Sequence, residues 1–193
     1  KISKMYDPIL EKELNHLRYI IKKEEYSERG MSLTKSIVTK MTNHYPCWIY
    51  RKEYLSLLKN EDLYIKENEF INELILLEPK SFQTWEQKRF CIENIKEINQ
   101  EEENQIFNQI IIIDFKNYHF WSYKTWLTQR TNSFPNELLY IDNMLESQID
   151  NNSVWSYRKF LVKHLKICKE LEEDIIYPLL SSNLKIESIW NYI

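Results

Sequence analysis

One segment, Lys116-Asn117-Tyr118-His119-Phe120-Trp121-Ser122-Tyr123-Lys124, recurs in related form at four other places in the chain. A tryptophan marks each copy, and the series is Trp48, Trp85, Trp121, Trp155 and Trp190, with successive members 34 to 37 residues apart. A period of about 35 residues, sustained over five copies, is typical of stacked helical hairpins. The sequence therefore predicts an all-α protein in which residues 1–193 form a single domain of five repeats centred on these tryptophans.

The composition favours the same fold class. The chain has one glycine, five prolines and no alanine, and its Leu, Ile, Glu and Lys residues recur at helical spacing. The run from Ile110 to Ile113 has the propensity of a strand, because isoleucine is enriched in strands. We expect a helix there, because three glutamates at residues 101–103 suit a helix N-terminus and the repeat period requires a helix.

Charge and cysteine content exclude several functional classes. The net charge is −3, from 26 basic and 29 acidic residues, so the chain has no general attraction for nucleic acid or an anionic membrane. Cys47, Cys91 and Cys168 form no CxxC pair, so we expect neither a disulfide framework nor a zinc site in this chain, and a reducing, cytoplasmic location. No apolar run approaches the roughly 20 residues that a membrane-spanning helix needs.

The tryptophan-bearing helices carry further regular positions. Three residues after each of the first four tryptophans stands a base: Arg51, Lys88, Lys124 and Arg158. We interpret the tryptophans as packing residues between hairpins, and each base as a stem packed on aromatic rings with its head paired to a carboxylate of a neighbouring helix. The residues two positions after the tryptophans are also mostly aromatic, so these helices are expected to contact neighbours on two sides. The chain stops three residues after Trp190, within a helical pattern, and we expect it to be truncated at its C-terminus.

The connections before the tryptophans are the predicted functional surface. Tight loops on one edge of a repeat array align, and in successive units these loops carry lysines, aromatic residues and hydrogen-bonding residues: Tyr45, Lys80, Phe82, Gln83, Lys116, Tyr118 and His119. Lysines one repeat apart can hold a phosphate group, with the aromatic rings lining a groove beside it. Taken singly, each lysine is more often a solvated charge. No nucleophile, phosphate loop or metal-ligand cluster stands at a recognised spacing, so no complete active site is expected in this chain alone.

Three of the repeat motifs resemble the repeats of protein prenyltransferase α subunits: Asn117-Tyr118-His119-Phe120-Trp121, Asn151-Asn152-Ser153-Val154-Trp155-Ser156-Tyr157-Arg158 and Glu187-Ser188-Ile189-Trp190-Asn191-Tyr192. The tetratricopeptide unit has a similar period, but it needs a small Gly and Ala at fixed places, which this chain lacks. The segment Tyr26-Ser27-Glu28-Arg29, followed by Leu33-Thr34, resembles the entry to the first repeat in the α subunit shared by farnesyltransferase and type I geranylgeranyltransferase. It is less similar to the Rab-directed subunit.

This resemblance implies a right-handed α-α superhelix that wraps around a β subunit and is active only as an αβ heterodimer. The reaction would join farnesyl or geranylgeranyl, from its diphosphate, to the cysteine of a C-terminal CaaX box in proteins such as small GTPases. Zn²⁺ would be bound by the β subunit and not by this chain, and Mg²⁺ would accompany farnesyl transfer. The Rab geranylgeranyltransferase α subunit, which carries a longer chain and added domains, and a non-catalytic helical-repeat scaffold stay open as alternatives.

The resemblance also implies roles for single residues. Lys80 matches the family lysine that reaches the diphosphate, where a fixed ammonium stabilises the negative charge that grows on the leaving group. Gln83 matches the glutamine that binds the CaaX terminal carboxylate, and Tyr45 matches a tyrosine near the final CaaX residue. Tyr118 and His119 match residues that border the diphosphate, and we expect Lys116 beside them. Two positions depart from the family, since Phe82 replaces a tyrosine and Ser81 an asparagine.

Overall fold

The structure is a computed structural model that describes residues 7–182 and 185–193. These residues form eleven α-helices and no strand: α1 Pro8–Lys22, α2 Glu28–Lys40, α3 Tyr45–Leu58, α4 Glu61–Leu77, α5 Phe82–Glu93, α6 Gln100–Asp114, α7 Tyr118–Thr131, α8 Phe134–Leu145, α9 Asn152–Leu165, α10 Lys169–Ser182 and α11 Glu187–Tyr192. The all-α prediction is confirmed, and the four isoleucines lie in α6 as expected. The chain separates into two compact units, one ending at Ile113 and the other beginning at Asp114.

Short polar side chains begin several of the helices. The Asp7 carboxylate accepts from two backbone N–H groups of α1, and Ser27 caps α2 by accepting from the Gly30 N–H. Asn117 and Asn151 cap the tryptophan-bearing helices α7 and α9 in the same way. In the part of the chain that the structure describes, no helix is long and apolar enough to cross a membrane.

The single glycine allows α2 and α3 to approach closely. A Cβ built on Gly30 would lie 1.9 Å from the hydroxyl oxygen of Tyr50, so no larger residue fits there. That hydroxyl accepts from the Ser27 N–H at 2.9 Å and donates to the Glu25 carbonyl at 2.8 Å. The start of α2 is therefore tied to the middle of α3, around a core that also takes Leu17 and Ile20 from α1.

Each of the first four repeat tryptophans closes the connection that precedes its own helix. The indole N–H donates to the carbonyl of the residue six positions earlier, in four bonds of 2.6 to 2.9 Å: Trp48 to Thr42, Trp85 to Pro79, Trp121 to Phe115 and Trp155 to Ile149. All four rings are buried, which confirms their predicted packing role. The prediction is wrong for Trp190, which is 52% exposed; among the described residues, α11 packs chiefly against α9 and α10.

The bases three residues after the tryptophans form buried ion pairs with the next helix. The pairs join successive helices from α3 to α4, α5 to α6, α7 to α8 and α9 to α10: Arg51–Glu67, Lys88–Glu103, Lys124–Glu137 and Arg158–Glu172. The predicted pairing of each base with a neighbouring carboxylate is therefore confirmed. Because an unpaired charge is very costly in a protein interior, these pairs fix which carboxylate each base must face.

Three of the residues two positions after the tryptophans contact glutamates of these pairs from the other side. Gln87 donates to Glu67 at 3.1 Å, and the Tyr157 hydroxyl donates to Glu137 at 3.0 Å. Tyr192 does the same with Glu172. Each of these glutamates thus contacts two tryptophan-bearing helices, as expected of helices that contact neighbours on two sides. Burial beside Glu137 raises the pKa of the Tyr157 hydroxyl well above its ordinary value, which keeps it a donor.

Candidate functional site

The connection that carries Lys80, residues 78–81, is held at three points. The Glu78 carboxylate accepts from the Thr42 hydroxyl, and the Pro79 carbonyl accepts from the Trp85 indole at 2.8 Å. Ser81 donates through its hydroxyl to the Asn43 amide oxygen at 3.1 Å. Lys80 lies within this held segment, and its side chain is exposed. The backbone on either side of Lys80 is therefore held in place, while the Lys80 side chain is exposed to solvent.

The same bonds bring Tyr45 and Gln83 to the edge where Lys80 lies. Tyr45 is the first residue of α3 and is 62% exposed, and Gln83 is the second residue of α5 and is half-buried. The connections before these two helices are joined through Thr42–Glu78 and Asn43–Ser81. The structure therefore brings together the connections that carry the predicted peptide-binding residues and the predicted catalytic lysine.

The serine that departs from the family pattern has a structural task. Ser81 is buried and makes no capping bond to α5, unlike Asn117 and Asn151 at the equivalent positions of later repeats. Its hydroxyl instead donates to Asn43 and accepts from Thr84 at 2.8 Å. At this position the side chain therefore links the connections before α3 and α5 and does not cap α5. Phe82, the other departure, begins α5 with its ring 54% exposed and offers no hydroxyl.

The second unit presents Lys116, Tyr118 and His119 at the start of α7. The Lys116 ammonium lies 5.4 Å from the centre of the Phe115 ring, while the ring centres of Tyr118 and His119 lie 5.6 Å apart in an edge-to-face arrangement. Lys116 is exposed, Tyr118 is 77% exposed and His119 is half-buried. The predicted residues of the third repeat are thus neighbours of one another, in a different unit from Lys80.

A cavity beside Lys116 and Tyr118 includes residues that the sequence did not reveal. It has a volume of about 530 Å³ and lies between α7 and α9. Its lining includes the polar side chains of Ser122, Thr125, Asn152, Ser153 and Ser156 and the aromatic ring of Phe160. Ser122 and Ser156 each follow a repeat tryptophan directly, which is the one signal that could have identified them. The cavity combines an ammonium, aromatic rings and hydroxyl groups, a lining suited to a ligand with polar and apolar parts.

Cys47 lies in the first turn of α3, beside His44. The Cys47 sulfur lies 3.1 Å from Nδ1 of His44, a pairing that in some enzymes activates a thiol. Here burial raises the pKa of the Cys47 thiol to about 12 and lowers the pKa of His44, and both shifts disfavour the thiolate–imidazolium pair that such activation needs. Within residues 7–182 and 185–193, no group of three His, Cys, Asp or Glu side chains could hold a metal ion.

Comparison with known proteins starts from the repeat itself. The family model described as "Protein prenyltransferase alpha subunit repeat" matches residues 134–165, which is the hairpin of α8 and α9. The farnesyltransferase/geranylgeranyltransferase type-1 α subunit of Candida albicans is 33% identical over 98 residues, 51% of this chain and 32% of that protein. The corresponding subunit of Dictyostelium discoideum is 28% identical over 200 residues, 98% of this chain and 62% of that protein.

A solved structure extends the similarity to the whole chain. The structure described as Candida albicans protein geranylgeranyltransferase-I complexed with GGPP matches with a TM-score of 0.85 and 28% identity, over 100% of this chain and 67% of that chain. The chain is therefore similar to protein prenyltransferase α subunits in its repeat, in sequence over 98% of its length, and in structure. The chain spans about a third and about three fifths of the lengths of the two curated relatives.

Proposed function

We propose that this chain acts as the α subunit of a heterodimeric CaaX prenyltransferase, which transfers farnesyl or geranylgeranyl from its diphosphate to a CaaX cysteine. The observation that carries the proposal is Lys80, an exposed ammonium on a connection held at three points, in a chain similar to prenyltransferase α subunits. The free cysteines of the chain suit the cytoplasm as its place of action.

Lys80 acts on the leaving group in this proposal. The cysteine sulfur forms a bond to C1 of the prenyl group while the bond from C1 to the diphosphate oxygen breaks, and the electron pair of the broken bond stays on the diphosphate. Negative charge therefore grows on the diphosphate oxygens as the transition state is approached. An ammonium already in place stabilises that charge more than the ground state, which raises the rate rather than only tightening binding.

The neighbouring residues bind the protein substrate and the rest of the diphosphate. Gln83 donates its amide N–H to the terminal carboxylate of the CaaX peptide, and Tyr45 packs against the final side chain. The cavity of the second unit is lined by Lys116 and Tyr118, and the His119 ring contacts the Tyr118 ring. This cavity suits an anionic group with an apolar tail. These assignments are supported by the exposure of Tyr45, Lys116 and Tyr118.

The metals of the reaction are assigned to groups outside this chain. The resemblance to prenyltransferase α subunits implies that Zn²⁺ is bound by the β subunit, where it would lower the pKa of the substrate thiol. Mg²⁺ would accompany the diphosphate when farnesyl is the donor. The residues of this chain supply charge, hydrogen bonds and the surface that receives the β subunit.

Replacement of Lys80 by alanine tests the proposal. We expect the Lys80→Ala heterodimer to assemble normally and to transfer the prenyl group about 10²-fold more slowly in a single turnover, the scale of losing one preorganised charge stabiliser. Lys96→Ala is the matched control, because Lys96 is also an exposed lysine of the first unit but lies at the opposite ends of these hairpins, beside Glu61. If the Lys80→Ala and Lys96→Ala heterodimers transfer the prenyl group at the same rate, the role of Lys80 is contradicted and a non-catalytic scaffold is favoured.

A further inference from the structure

We propose that Trp85 is a positioning residue for the Lys80 ammonium, acting through the hydrogen bond from its indole to the Pro79 carbonyl. The inference rests on the proposed function, because it concerns the lysine assigned there to the leaving group. It gives a buried tryptophan of the repeat a role in transfer that is separate from its packing.

The bond acts on the peptide unit to which Lys80 belongs. The Pro79 carbonyl is part of the planar group that ends at the Cα atom of Lys80, so holding its oxygen fixes the orientation of that plane. The indole N–H lies 2.8 Å from this oxygen, and the Trp85 ring is only 4% exposed. A buried ring in a packed core cannot follow a moving loop, so the bond holds the loop to the position of α5.

The flanking residues hold the same segment on both sides. Glu78 is bonded to Thr42, and Ser81 is bonded to Asn43. With the backbone held before and after Lys80, the remaining freedom lies in the lysine side chain. Charge stabilisation depends on a donor that is already in place when charge develops, and a displacement of about 1 Å can cost on the order of 10²-fold in rate.

The repeat structure supplies a matched control. Trp155 makes the same bond, at 2.7 Å, to the Ile149 carbonyl, and its ring is 2% exposed. The residue that follows Ile149 is Asp150, and the connection before α9 carries none of the residues assigned to the reaction. Replacing Trp155 by phenylalanine therefore removes the same indole N–H and a similar amount of packing, away from Lys80.

The test is a double-mutant cycle in the full heterodimer with its β subunit. Single-turnover transfer is measured for Trp85→Phe, Trp155→Phe and Lys80→Ala, and for each Phe variant combined with Lys80→Ala. We expect Trp85→Phe to slow transfer about 10-fold, since a single loosened contact misplaces the ammonium only in part. We expect Trp155→Phe to stay within about twofold, as for sites away from the chemistry. In the Lys80→Ala background, Trp85→Phe should have no further effect, because the residue on which it acts is gone.

A second variant guards against a chain that does not fold. Ser81→Ala removes the bond to Asn43 with almost no change in volume, and it should slow transfer severalfold with the same dependence on Lys80. Suppose that Lys80→Ala slows transfer but Trp85→Phe and Ser81→Ala transfer as fast as wild type. The inference is then overturned and the proposed function stands. The same holds if Trp85→Phe and Ser81→Ala slow transfer equally in the wild-type and Lys80→Ala backgrounds. If Lys80→Ala is itself as fast as wild type, the proposed function of Lys80 fails, and the inference fails with it.

Discussion

Replacing the buried Lys88 by methionine should destabilise the chain far more than any exposed charge change. The Lys88 side chain is fully buried, and its ammonium donates to the amide oxygens of Asn68 at 3.0 Å and Asn72 at 2.7 Å and to the Glu103 carboxylate at 2.6 Å. Methionine keeps a stem of similar length without the charge. The Lys88→Met variant therefore removes the ion pair of the Glu103 carboxylate, whose side chain is 2% exposed.

The size of the effect follows from that burial. Breaking a buried ion pair by removing one partner costs about 3–5 kcal/mol in the free energy of unfolding. For a chain of this length each kcal/mol lowers Tm by roughly 2–4 °C, so a loss of roughly 6–20 °C is expected. Lys96→Met is the control, because the Lys96 side chain is 87% exposed and its pair with Glu61 spans 3.6 Å. Such an exposed pair contributes about 0–1 kcal/mol.

Thermal unfolding followed by circular dichroism measures both variants. The double variant Lys88→Met, Glu103→Leu removes both charges and should recover most of the lost stability, because a buried pair can often be replaced by apolar residues. Equal Tm losses for Lys88→Met and Lys96→Met would refute the claim that the buried pairs lock successive helices together. A double variant no more stable than Lys88→Met would refute the claim that the buried charge of Glu103, once its ion pair is lost, is the cause.

Three further predictions concern the site and its surroundings. Gln83→Ala should weaken CaaX peptide binding more than prenyl diphosphate binding, measured by titration of the heterodimer, and equal losses for both ligands would contradict the carboxylate role. In the folded chain at pH 8, iodoacetamide should modify the exposed Cys168 and spare Cys47 and Cys91, because burial raises the pKa of both thiols. The folded-state pKa of Cys47 is about 12 against an ordinary 9.0, so its contribution to stability should be complete below pH 9 and lost as pH rises toward 12. Mass spectrometry measures which cysteines are modified, and rapid modification of Cys47 in the folded chain would contradict the modification prediction. Urea unfolding at pH 8 and pH 11 measures the loss of stability, and equal stability at the two pH values would contradict the stability prediction.

The tryptophan period and the bases that follow it were sufficient to predict an all-α fold in which each base pairs with a carboxylate of a neighbouring helix. A hydrophobic period reports which side of a helix is buried, and a base at a fixed place on a buried side must meet a carboxylate. The sequence could not show which carboxylate pairs with which base. Arg51 and Glu67, for example, lie 16 residues apart on two helices whose relative register is set only by packing. The indole bonds were missed for the same reason, since a carbonyl is present at every residue.

Other features lacked a sequence signal altogether. Helices α3, α7 and α9 end in left-handed residues Lys59, Asn132 and Lys166, where glycine is the usual choice and lysine gives no indication. The exposure of Trp190 could not be read from its periodic position, because burial depends on neighbouring helices and not on spacing. The prediction of a single five-repeat domain, like the roles of the site residues, stays a prediction.

Co-expression with the β subunit from the same genome, followed by transfer of labelled farnesyl and geranylgeranyl to CaaX peptides, tests the central claim most directly. The account predicts a stable complex in which transfer requires both chains, with the preferred donor showing which prenyl group the enzyme uses. A chain that forms no complex with the β subunit, or a complex whose transfer does not depend on this chain, would contradict the claim that it is the α subunit of a CaaX prenyltransferase.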